Sequence, residues 1–232
     1  MKTNQITGIL FLAGAIGVCI LYTILSVTFN YPGILRQDTG NILLKFHKGG
    51  NGLISTWFLF ALSGLPLIPA YIMTGQLLEK NSALARSATS IGVTGLIVQM
   101  IGLLRWTFVV PMLASGYCNA TEAATRESLI ISFKTLHQFA GVLLGEHVGQ
   151  LFTVTWTIAI SILLYRSLMV PKWIYRLGII SGMIYFLAQA ELLATVIPGL
   201  PSWNLAGFAG STLWLLWLIV LGCWFLLRKN EY

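Results

Sequence analysis

Six stretches of this chain are each long and apolar enough to cross a lipid bilayer, which leaves few folds open to it. They run approximately over residues 6–28, 53–75, 88–114, 148–168, 173–197 and 205–227. A helix rising about 1.5 Å per residue needs about 20 residues to cross a hydrocarbon core of about 30 Å. The expected fold class is all-α: an integral membrane helical bundle with six transmembrane helices plus one amphipathic interfacial helix on the outer side. All of 1–232 reads as a single transmembrane helical domain with short connections. Pro66 and Pro69 are placed to kink the second span and Pro111 to bend the third.

Charge supports this class and excludes others. Only 9% of residues are charged, against about 25% in soluble domains, and the mean hydropathy is +0.81. The net charge of +7 does not imply nucleic acid, because the basic residues are scattered between apolar runs rather than gathered on one face. Lys and Arg in such positions mark cytoplasmic loops. Lys2, Lys80, Arg86, Arg166, Lys172, Arg176, Arg228 and Lys229 fall on one side; Arg36, Lys45, Lys48, Arg126 and Lys134 fall on the other. The bias places both termini in the cytoplasm. The first run is longer than the apolar core of a cleavable signal and reads as a retained helix. Cys19, Cys118 and Cys223 fit no metal or disulfide spacing.

The segment 120–147 is less regular. It opens on Thr121-Glu122-Ala123-Ala124-Thr125-Arg126-Glu127, then carries Ile130, Ile131, Phe133, Leu136, Phe139 and Ala140 as a stripe interrupted by Lys134 and His137. That pattern predicts an amphipathic helix on or in the outer interface. A seventh span here would set the two termini on opposite sides, against the charge bias.

Ionisable residues within spans are costly and point to function. Arg105 lies roughly 6 Å beyond the midplane of the third span and Glu191 about 8 Å beyond that of the fifth. Their similar depth predicts an ion pair, since pairing lowers the cost of burying either charge. His47, His137, Glu146 and His147 map to the same side. With Arg105 and Glu191 they form a candidate pocket at the outer leaflet. His47, His137 and His147 are candidate ligands of a metal such as zinc, or of haem, although ten residues separate the last two and no HExxH spacing is present. The bland readings are a structural ion pair, a favourable helix-start charge at Glu146, and close helix contact at Gly141, Gly145 and Gly149.

Four stretches carry a resemblance. They are Tyr31-Pro32-Gly33-Ile34-Leu35-Arg36, His47-Lys48-Gly49-Gly50-Asn51-Gly52-Leu53, Leu104-Arg105-Trp106-Thr107-Phe108-Val109-Val110-Pro111 and Leu144-Gly145-Glu146-His147-Val148-Gly149. In them the chain resembles a bacterial family of polytopic inner-membrane proteins catalogued as a domain of unknown function. The resemblance implies a bacterial inner-membrane location and no catalytic residue. Two functional classes stay open beside a purely structural role. One is a pocket, in a binding protein or an enzyme, for a metal, a haem or an amphipathic small molecule entering from the lipid bilayer. The other is a transporter that uses Arg105 and Glu191 as coupling charges.

Overall fold

The computed structural model describes residues 3–78, 82–203 and 205–228; Lys2, Lys80 and Lys229 of the charge argument lie outside them. Among the described residues the chain forms ten α-helices, one 3₁₀ turn, one π-helical segment and no strand. The helices are α1 (Thr3–Phe29), α2 (Thr39–Leu62), α3 (Leu67–Leu78), α4 (Ala83–Phe108), α5 (Val110–Asn119), α6 (Ala123–Leu136), α7 (Gly149–Arg166), α8 (Lys172–Leu187), α9 (Gln189–Ala194) and α10 (Ala206–Leu227). The 3₁₀ turn, Gly33–Arg36, follows α1, and the π segment, His137–Val148, joins α6 to α7. Six continuous helical stretches are long and apolar enough to span a membrane.

Lipid explains the surface. On α1, Ile9, Ile16, Ile20, Ile24 and Val27 are exposed at helical spacing, while Phe11, Gly14, Ala15 and Leu25 on the other face are buried. Such an apolar stripe suits hydrocarbon and would be a liability in water. The opposite face of α1 meets α10 closely: a Cβ at Gly8 would stand 2.6 Å from the Gly222 carbonyl oxygen. This contact sets the two ends of the chain on one side of the bundle, called here the terminal side; the other is the distal side.

Two cores divide the bundle along its length. Phe11, Tyr71, Trp156, Trp217 and Phe225 belong to the core nearer the terminal side, where the Tyr71 and Trp156 rings stack. Trp214 packs there too, whereas Trp203 is exposed, so most tryptophans of the last span serve packing rather than anchoring. The indole N–H of Trp217 donates to the Ile174 carbonyl (3.0 Å), and that of Trp224 to the Met169 carbonyl (3.1 Å). The distal core holds Phe29, Phe46, Trp57, Trp106 and Phe133, with Trp57 and Trp106 stacked at 4.8 Å.

Breaks occur where backbone chemistry demands them. The second span is interrupted over residues 63–66, and α3 begins just after Pro66. The third breaks at Val109, with Pro111 in the first turn of α5, where a missing N–H costs nothing. Gly50 breaks α2 at φ 54° and ψ −152°, a conformation essentially reserved for glycine. The stretch before it, expected as a loop leading into the second span, is helical. Asp38 caps it by accepting a hydrogen bond from the Gly40 N–H (2.9 Å), and Ile42, Leu43 and Phe46 bury one stripe. The amphipathic α6 is helical and largely exposed, and it continues through the π segment into the fourth span as one stretch, Ala123–Arg166.

Candidate functional site

The buried guanidinium of Arg105 organises the distal end of α4, with only 7% of the residue exposed. Gly141 makes room for it: a Cβ there would stand 2.6 Å from Arg105 Nη2. Gly102, one turn back on α4, meets Gly145 at backbone distance, so the small-residue series does bring helices into close contact. Arg105 Nη1 donates to the Gly102 carbonyl oxygen, and Nη2 lies 3.3 Å from Nδ1 of His137. The guanidinium also sits 5.3 Å from the Trp106 ring centroid.

The Arg105–His137 contact fixes a tautomer. Arginine has donors and no acceptor, so Nδ1 of His137 must accept. The imidazole proton then resides on Nε2, which becomes the donor the ring can offer elsewhere. The ring plane is held by a parallel stack on Phe133, one turn earlier, at 5.7 Å.

The expected pair between Arg105 and Glu191 is replaced by another. Glu191 Oε1 accepts from Arg36 Nη2 at 2.9 Å, and the two side chains are 33% and 71% exposed respectively. Equal depth fixes height in the membrane but not the direction a side chain faces around its helix. Glu146 is partly buried and within electrostatic range of Arg105, Glu191, Tyr31 and Tyr185. Burial pushes the phenol of Tyr31, which lies between α1 and the 3₁₀ turn, above its ordinary pKa; Glu146 adds to this and Arg105 opposes it.

The three histidines do not converge. His137 and His147 line one groove, while His47 is exposed on α2 and is not among the groove's lining residues. Among the described residues no group of three or more His, Cys, Asp or Glu side chains is placed to hold a metal ion. The proposed set His47, His137 and His147 is therefore not assembled.

The groove that His137 and His147 line has a volume of about 960 Å³. It lies between the 3₁₀ turn and the start of α2 on one side and α9 on the other, with the α6–π junction between them. Phe139, Leu143, Leu193 and Val196 line it and are themselves exposed, so its mouth is apolar. Lys134, Thr135, Gln138, Gln37 and Thr39 join the histidines as its polar members. Arg36 and Glu191 each adjoin lining residues, Leu35 and Gln37 on one rim and Leu192 and Leu193 on the other, so their pair ties the rims together. Gln138 Nε2 donates to Thr195 Oγ1 (3.1 Å) as a second tie to the chain just beyond α9.

Several of these residues had a signal in the sequence. Lys134, His137 and Gln138 have the i, i+3, i+4 spacing of one helical face. Tyr31 and Tyr185 had none, because their meeting with Glu146 depends on tertiary packing.

Fold and site together define a multi-pass helical membrane protein with an amphipathic groove at the distal end of the bundle. The chain belongs to the family described as Domain of unknown function (DUF4386), whose model matches residues 6–222. No curated protein and no solved structure matches it.

Proposed function

We propose that this protein binds an amphipathic molecule in the distal groove, taking it laterally from the outer leaflet of a bacterial inner membrane. The observation that carries the reading is the groove itself, with an apolar exposed mouth and His137, His147 and Lys134 inside. Its volume lies at the upper end of the roughly 300–1,000 Å³ usual for small-molecule sites. An acyl chain entering from lipid keeps an apolar environment, so polar contacts at the head decide which molecule stays. The outward orientation of the distal side rests on the Lys and Arg bias. Transport through an Arg105–Glu191 couple loses its motive, because each charge has a different partner.

The test is lipid extraction and mass spectrometry of the purified protein beside Leu143→Trp, which fills the mouth with an indole. Wild type is expected to retain a defined amphipath, and the variant to lose most of it while still folding. The same retained molecules in both proteins would end the reading. For orientation, single cysteines at Ser82 and Asn119, in a background freed of the three native cysteines, are expected to label from opposite faces, Asn119 from outside. Equal labelling by an impermeant reagent would overturn it.

A further inference from the structure

Charge within the groove narrows the ligand further. Among the lining residues Lys134 is the one lysine or arginine, and no Asp or Glu lines the groove. The acids nearest in the chain are already engaged or face elsewhere. Glu191 is held by Arg36, and Asp38 accepts from the Gly40 N–H as the cap of α2. Glu146 is not among the lining residues and lies within electrostatic range of Arg105. The other polar members are imidazoles, amides and hydroxyls, and Arg105 obliges His137 to present N–H at Nε2. Lys134 and the Nε2–H of His137 are thus donors that the lining can offer a head group, with the positive Arg105 behind His137.

Resting on the binding reading above, we propose that the groove selects an anionic membrane lipid, its phosphate held by Lys134 and the Nε2–H of His137. A zwitterionic head offers the same phosphate, but its ammonium finds no carboxylate in the lining and lies near Lys134. A net anionic head makes the charge-assisted hydrogen bonds without that repulsion. The apolar mouth commits the site to a lipid rather than a free phosphate ester. Arg105 acts here as a positioning residue, because its guanidinium meets Nδ1 of His137 and is not itself part of the groove lining.

The experiment uses full-length protein in detergent, stripped of lipid and titrated with fluorescent phosphatidylglycerol or phosphatidylethanolamine bearing identical chains. Phosphatidylglycerol is expected to bind saturably, one lipid per chain, at least about tenfold more tightly. Lys134 is exposed, so Lys134→Glu should leave the fold intact. Both lipids carry the phosphate that Lys134 holds, so both should bind the variant more weakly. Phosphatidylglycerol should weaken by more, because the ethanolamine ammonium can meet the new carboxylate, and the preference should be lost. Equal binding of the two lipids by wild type, lost in Leu143→Trp, would overturn the head-group assignment and keep the groove. Saturable binding of neither lipid would overturn both. Displacement by soluble glycerol phosphate as effective as by the lipid would overturn the commitment to a membrane ligand.

Discussion

Trp106→Ala should cost about 3–5 kcal/mol of stability, the range for truncating a large buried aromatic, and the loss should be concentrated in the distal half. Trp106 is fully buried and stacks on Trp57; the rings of Phe29 and Phe46 lie 5.6 Å away and that of Phe133 5.9 Å. It therefore joins α1, both parts of α2 and α6 to α4. No residue of the terminal-side core belongs to this cluster. Denaturant unfolding in detergent gives the total, and hydrogen exchange locates it. Exchange should accelerate over residues 39–49 and 123–136 with little change around Trp156. Uniform acceleration along the chain, or a cost below about 1 kcal/mol, would contradict a bundle with two separable cores.

Gly102→Ala should be nearly as damaging although it adds one methyl group. The new Cβ would stand 2.7 Å from the Ala140 carbonyl oxygen and from Gly145 Cα, and 3.0 Å from Gly145 N. All three are backbone atoms, which cannot rotate aside as a side chain can. Overpacking typically costs about 1–3 kcal/mol, and a backbone obstacle puts this case at the upper end. The alternative to strain is separation of α4 from the π segment, which would lengthen the Arg105–His137 contact. The variant should thus lose bound amphipath together with stability. Gly52→Ala serves as the control, since a Cβ there meets nothing within 4 Å. It should leave stability unchanged or raise it by a few tenths of a kcal/mol. Similar behaviour of the two variants, in melting temperature and retained ligand, would remove the case for Gly102 as a close-packing residue.

The six spans were legible because hydrocarbon thickness sets a length that composition must match, and apolar runs satisfy it without reference to neighbours. The proline breaks were legible for a similarly local reason. The distal part of α2 was not, because Lys45, His47 and Lys48 disguise a stripe of Ile42, Leu43 and Phe46. Its cap at Asp38 was the missed signal. Depth arithmetic set Arg105 and Glu191 level with each other, but the rotation of each helix turns Arg105 to His137 and Glu191 to Arg36. The three histidines shared a side of the membrane in the sequence, yet only His137 and His147 share a groove in space. Sidedness is a one-dimensional property, and a groove needs the azimuth of every contributing helix.

The tie between Arg36 and Glu191 gives the rims a weak fastening. Exposed pairs of this kind contribute about 0–1 kcal/mol and are screened by salt. A bond of that size alters an opening rate by no more than about fivefold. It cannot lock the short helix α9 against the 3₁₀ turn, but it makes the spacing of the two rims responsive to ionic strength. The stacked rings of Trp57 and Trp106 behind them have no such dependence. The distal end therefore pairs a rigid aromatic wall with a rim that breathes with the electrolyte around it.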